Sequence, residues 1–185
     1  MLKCDHELVY LAASSQPPVC DAQWRHADAE LRARKTMTIN PALANLLILA
    51  GAWDMELSGA SFLPDSDAKV RARVTFEWIE QGAALVMRMG DSATPTATWI
   101  FGRDESETGY HVLYADDRGV SRVYRMNLDA LTWRMWRDTP EFSQRFDAEI
   151  SADQTQISGS WQRSSDGGAT WEHDFNVRYE CLSPP

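Results

Sequence analysis

Arg122 and Tyr124 stand two positions apart in an apolar run of the sequence. Alternate side chains of a β-strand share a face, so both would lie on the face of Val120 and Met126. An arginine on an inward face is costly unless it meets a carboxylate or stays hydrated. In a wet cavity it could hold an anionic group through paired hydrogen bonds. Two alternatives stay open: a one-residue bulge turns Arg122 outward, or a neighbouring Asp or Glu neutralises it.

The same alternation selects inward side chains on the strands that follow. Large aromatic residues usually fill a core, but eight tryptophans could also line a cavity for a flat or extended apolar ligand. The predicted ligand-binding residues are Arg122, Tyr124, Trp133, Gln144, Trp161, His173 and Phe175.

Short apolar runs separated by turn residues would position these side chains. Residues 110–138 hold three such runs, divided at 115–119 and 127–130 by segments that contain Asp, Asn or Gly. Gly accepts positive φ and Asp caps its own turn, so the runs predict consecutive hairpins. Together with a strand that begins near Trp53, the predicted strands are 69–80, 84–90, 96–104, 110–115, 120–127, 131–138, 142–150, 156–163 and 170–181.

No helical pattern of useful length interrupts these strands after Gly51. Parallel pairing would need crossover connections, so neighbouring strands should pair antiparallel. In a sheet of about ten such strands, pairing the first strand with the last closes the sheet into a barrel and leaves no free edge. The predicted fold is mainly β: an antiparallel up-and-down β-barrel, preceded by one or two short N-terminal helices.

A short helix should precede the first strand. Asn40 supplies an N-cap and Pro41 suits the first helical position, while Gly51 suits the end. With α-helical spacing, the apolar face would comprise Leu43, Leu46, Leu47 and Ala50.

Residues 1–36 differ in composition from the rest of the chain, and Met37 would serve as a chain start. Two interpretations stay open: a dispensable extension, partly helical or disordered, or an ordinary N-terminal helix packed on the barrel. The predicted division is therefore an extension at 1–36 and a barrel domain at 37–185.

The net charge of −9 argues against two classes of partner. A nucleic-acid binder needs a basic surface, and so does an electrostatic anchor on anionic lipid. We therefore expect neither nucleic acid nor membrane as a partner. The oligomeric state is open, with a homodimer among the alternatives.

Cys4, Cys20 and Cys181 form neither a disulfide framework nor the paired spacing of a zinc site. Asp5, His6 and Glu7 interrupt any hydrophobic signal core. These features favour a cytoplasmic protein.

A short helix, then Gly51-x-Trp53 at the start of a meander, resembles the calycin superfamily of lipocalins and fatty-acid-binding proteins over residues 38–182. Within that superfamily the chain resembles the bacterial lipocalin-like domains of unknown function. The resemblance implies that Trp53 packs across the closed end of the barrel, beneath an arginine for which Arg178 is the candidate. It also implies a cavity ligand, since fatty-acid-binding proteins anchor carboxylates with Arg and Tyr.

Other calycin-like barrels suggest further functions. Nitrobindins bind haem through a histidine, so His173 could ligate haem iron, although a hydrogen-bonded core histidine is the competing interpretation. Some calycin-like barrels are isomerases or cyclases, and others are interaction modules filled by their own side chains.

Residues 164–171 resemble the Asp-box of sialidase-type propellers, S-x-D-x-G-x-T-W. Propellers carry several copies, whereas this chain has one, so we expect a rigid hairpin before the last strand.

Motifs of catalysis are absent from the sequence, including G-x-S-x-G, H-E-x-x-H and the glycine-rich phosphate loops. Asp116 and Asp117 could bind a cation, but adjacent carboxylates in a turn are usually solvated. The sequence thus favours a binding protein over an enzyme, with no metal or cofactor and a small apolar or amphipathic ligand, which could be anionic.

Overall fold

Ten antiparallel strands close into one barrel in a computed structural model that describes residues 38–65, 67–91 and 93–183. The predicted extension at 1–36 lies outside the described residues. The strands are β1 Gly51–Ser58, β2 Lys69–Ile79, β3 Ala84–Gly90, β4 Pro95–Gly102, β5 Tyr110–Asp116, β6 Ser121–Asp129, β7 Thr132–Arg137, β8 Ser143–Ile150, β9 Gln156–Ser164 and β10 Glu172–Ser183.

Each strand pairs with its neighbours in the chain, and β1 pairs with β10 to close the barrel. The β5–β6 turn shows why the chain reverses so tightly. Oδ1 of Asp116 accepts from the backbone N–H groups of Arg118 and Val120, each at 3.1 Å. Gly119 follows with φ of +79°, which a side chain would oppose. The predicted up-and-down barrel is confirmed.

A 3-10 helix, Pro41–Leu49, lies at one end of the barrel. The side chain of Asn40 caps it by accepting from the N–H of Ala42 at 3.0 Å. Three residues per turn place every third side chain on one face, and the buried face is Leu43, Leu46 and Leu49. The predicted inward position of Leu47 is wrong, since that side chain is 41% exposed. The α-helical spacing behind that prediction does not hold here.

Trp53 is buried beside this helix, as the calycin resemblance implies. Its indole N–H donates to the carbonyl of Leu49 at 2.9 Å. The predicted role of Arg178 is wrong, because its half-exposed side chain contacts Gln156 and Glu180 on the outer surface. The indole N–H of Trp53 is therefore satisfied by the carbonyl of Leu49, the last residue of the helix.

The β9–β10 turn has the rigid hairpin predicted from the Asp-box match. The carboxylate of Asp166 accepts from the backbone N–H of Thr170 at 2.9 Å and from its hydroxyl at 2.6 Å. Ser164 accepts from the N–H of Gly168 at 2.9 Å, and the indole of Trp171 donates to the carbonyl of that glycine at 3.0 Å. Every residue of the motif thus serves the turn itself.

The interior divides into two halves along the barrel axis. Near the helix, buried aromatic side chains fill the space, with Trp133 in edge contact with Phe146 at 5.2 Å between ring centroids. The β1–β2, β3–β4, β5–β6, β7–β8 and β9–β10 connections lie at the opposite end.

No helix in the described part of the chain is long and apolar enough to cross a bilayer.

Candidate functional site

A cavity of about 310 Å³ occupies the half of the barrel away from the helix. Its wall is mainly aromatic and methionine side chains, among them Met87, Met89, Trp99, Trp161 and Phe175. The ring of Trp161 stacks on Phe175 at 5.9 Å and lies 6.0 Å from Trp99. Ligand cavities span roughly 300–1,000 Å³, so this one suits a small molecule.

Four polar side chains meet on the cavity wall: Arg122 and Tyr124 from β6, Gln144 from β8 and Asp174 from β10. The Tyr124 hydroxyl donates to Oε1 of Gln144 at 2.7 Å, and Nη1 of Arg122 lies 3.4 Å from the same oxygen. Nε2 of Gln144 donates to Oδ2 of Asp174 at 2.8 Å. We call these four residues the polar cluster.

The charge of Asp174 fixes the orientation of the Gln144 amide. An ionised carboxylate only accepts hydrogen bonds, so the amide must turn its NH₂ group toward Asp174. The amide oxygen then faces the two donors, Arg122 and Tyr124. Burial raises the pKa of Tyr124, so its hydroxyl keeps the proton that it donates. Gln144 therefore separates a cationic side from an anionic side.

Arg122 makes no ion pair with any residue that the structure describes. Its guanidinium lies 4.6 Å from the ring centroid of Phe142 and 6.0 Å from that of Tyr114. The hydrogen bond to Gln144, at 3.4 Å, is long for an N–H donor. The positive charge on the cavity wall is thus solvated or available to a ligand.

Arg118 also reaches the cavity, but it has a carboxylate partner. Its Nη2 lies 2.6 Å from Oδ2 of Asp116, whose side chain is only 4% exposed. The bond from Arg118 holds the pKa of Asp116 well below its usual value. Burial, together with the hydrogen bond to this aspartate, raises the pKa of Tyr114 to about 12. The carboxylate of Asp116 is therefore occupied by contacts within its own turn. Among the described residues, no group of three or more His, Cys, Asp or Glu side chains could hold a metal ion.

Six of the seven predicted site residues lie on the cavity wall, with the inward orientation that strand alternation predicts. They are Arg122, Tyr124, Trp133, Gln144, Trp161 and Phe175. Whether they bind a ligand stays a prediction.

His173 is the exception, because the structure places it on the exposed outer surface. The register of β10 against β9 shifts between His173 and Phe175, which pair with Gln162 and Trp161. A β-bulge adds one residue to a strand and reverses the alternation beyond it. The predicted inward position of His173 is therefore wrong, and the haem alternative loses its proposed ligand.

Asp174 is the extra residue of this bulge, and the sequence prediction missed it. Its side chain is 7% exposed and lines the cavity. Strict alternation assigned it to the outer face, because the residues around it alternate without a visible break. Only the pairing register of β10 with β9 shows that this carboxylate is buried in the polar cluster.

Trp133 contributes a donor without an acceptor. Its side chain lies on the cavity wall, and its buried indole N–H has no hydrogen-bond partner among the described residues. A buried N–H of this kind costs free energy unless water or a ligand accepts from it.

No model of a known protein family matches this chain, and no curated protein matches it significantly. The calycin resemblance therefore rests on the barrel: a short helix, Gly51-x-Trp53 and ten antiparallel strands in chain order. The cytoplasmic location stays a prediction, as does the oligomeric state.

Proposed function

We propose that this barrel binds a small amphipathic molecule, with its apolar body among the aromatic and methionine side chains and an anionic group at Arg122. The observation that carries the proposal is the guanidinium of Arg122, which makes no ion pair with any described residue, beside a mainly apolar cavity. A lone guanidinium on such a wall is costly to desolvate. An anion would offset that cost.

Two features of the cavity support binding over a purely structural role. The interior holds about 310 Å³ of free volume, which a barrel filled by its own side chains would lack. Its walls are mainly apolar side chains, and each CH₂ group that a ligand buries there contributes about 0.8 kcal/mol. An isomerase or cyclase that uses the same cavity stays an alternative.

Arg122→Met tests the proposal. Methionine keeps much of the side-chain volume and removes the charge, so the barrel should fold. We expect decanoate to displace 8-anilinonaphthalene sulfonate from the wild type in a saturable way. The substitution should weaken decanoate binding by roughly 1.5–3 kcal/mol, about tenfold to somewhat over a hundredfold, because a charge-assisted interaction is lost.

Arg125→Met is the matched control. Arg125 lies on the same strand but faces outward, with 63% of its side chain exposed. Decanoate affinity should not change in this variant, and decanol should bind both variants and the wild type alike. Equal affinity of wild type and Arg122→Met for decanoate would remove Arg122 from the site.

A further inference from the structure

The carboxylate of Asp174 has an oxygen that its neighbours leave without a hydrogen bond. Oδ2 accepts from Gln144, whereas Oδ1 accepts from no residue that the structure describes. Nη1 of Arg163 lies 3.9 Å from Oδ1, beyond hydrogen-bond length. The guanidinium of Arg163 also lies 3.7 Å from Glu172. An ionised carboxylate can accept about four hydrogen bonds, so this buried group is short of donors.

Asp174 lies close to the unpaired guanidinium of Arg122. Both contact the amide of Gln144, at 2.8 Å from its nitrogen and 3.4 Å from its oxygen. The dimensions of an amide then place Nη1 of Arg122 within about 9 Å of Oδ2 of Asp174. A ligand that touches both groups would use two hydrogen bonds of about 2.9 Å. An acceptor and a donor about 3 Å apart on the ligand are therefore enough to reach both groups, and this is the separation across the two carbon atoms of an amino-acid head group.

The geometry points to a zwitterionic head group in this site: an anionic oxygen on Arg122 and an N–H donor, on the adjacent carbon, at Asp174. The ligand class is an apolar 2-amino acid or a molecule with the same head group. This inference rests on the proposed function and narrows it. A simple fatty acid would satisfy Arg122 but leave Asp174 without a donor, with its negative charge near the ligand's carboxylate.

An ammonium group is the head-group donor that fits Asp174 best. It carries three donors and no acceptor, whereas the carboxylate carries acceptors only. The bond between them is charge-assisted and therefore among the stronger hydrogen bonds. The head group carries one positive and one negative charge, which are complementary to the carboxylate of Asp174 and to the guanidinium of Arg122. The apolar part would extend over the aromatic side chains that include Trp161 and Phe175.

Three ligands of equal chain length test the inference on the wild-type protein: decanoic acid, 2-aminodecanoic acid and 2-methyldecanoic acid. The methyl group has about the size of the ammonium group and no donor. We expect 2-aminodecanoic acid, as one enantiomer, to bind about tenfold more tightly than decanoic acid. The methyl compound should bind no better than decanoic acid. Isothermal titration calorimetry would give the three dissociation constants.

Asp174→Asn provides the second arm. The asparagine oxygen can still accept from Gln144, so the polar cluster keeps its shape, but the new NH₂ group faces the ligand's ammonium group. The preference for 2-aminodecanoic acid should disappear in this variant. Decanoic acid should bind more tightly to this variant than to the wild type, because a negative charge near the ligand's carboxylate has been removed.

The outcomes distinguish a failure of the proposed function from a failure of this inference. If wild type binds neither acid, both the proposed function and this inference are wrong. If wild type binds decanoic acid and 2-aminodecanoic acid equally, the inference alone is wrong. A preference for 2-aminodecanoic acid that survives in Asp174→Asn would also overturn the role of Asp174.

Discussion

Gly159 lies on β9 at the point where the interior has no room for a side chain. It pairs with Ala148 on β8 and with Val177 on β10. A Cβ atom at this position would lie 2.5 Å from Cβ of Ala148 and 2.6 Å from Cε2 of Phe146. It would also lie 2.8 Å from the carbonyl oxygen of Asp147. Gly159→Ala must therefore move backbone or the Phe146 ring, which stacks on Trp161 at 4.9 Å.

The expected cost of Gly159→Ala is that of overpacking a close-packed interior, about 1–3 kcal/mol. For a chain of this size, 1 kcal/mol corresponds to a shift of about 2–4 °C in the melting temperature. The variant should therefore melt several degrees below the wild type. Glycine loses more backbone entropy on folding than alanine does, and this opposing effect is about 0.4–1 kcal/mol. The steric term should exceed it.

Gly102→Ala is the matched control, because Gly102 is also a strand glycine and a Cβ there would meet nothing within 4 Å. It should be neutral or slightly stabilising. Thermal and urea denaturation, followed by circular dichroism, would compare the two variants with the wild type. If Gly159→Ala is as stable as Gly102→Ala, the interior near Phe146 is not packed as described.

Two further substitutions test the polar cluster and the β9–β10 turn. Tyr124→Phe removes the hydroxyl that donates to Gln144, so the free energy of unfolding in urea should fall by about 1 kcal/mol. An unchanged midpoint would show that this bond contributes nothing. Hydrogen bonds from Ser164 and Thr170 hold the pKa of Asp166 well below its usual value. The ionised Asp166 carboxylate therefore stabilises the fold at pH values above about 4, the pKa of an aspartate in the unfolded chain. This contribution is lost as the pH falls toward the lower pKa of the folded state. The melting temperature of wild type should exceed that of Asp166→Asn near neutral pH, and the difference should shrink below about pH 4. A difference in melting temperature that does not change with pH would show that the ionised Asp166 carboxylate is not the source of this stability.

The strand order was predictable because turns and alternation are local properties of a sequence. Asp116 and Gly119 mark a hairpin whatever lies across the barrel, since one caps the turn and the other accepts positive φ. Alternation likewise placed Arg122 and Tyr124 inward on β6. The helix was less predictable, because Leu43, Leu46 and Leu49 fit three residues per turn while Leu47 fits an α-helical face.

The polar end of the cavity depends on a feature that alternation cannot reveal. A bulge is set by the pairing of β10 with β9, where His173 meets Gln162 and Phe175 meets Trp161. Without the extra residue, His173 would face the cavity and Asp174 would face solvent. The site would then hold a cation and an imidazole, which favours a simple anion. With it, a buried carboxylate and Arg122 contact the same amide, and the ligand that we propose carries both a donor and an acceptor. One inserted residue thus changes the chemistry of the site without changing the fold.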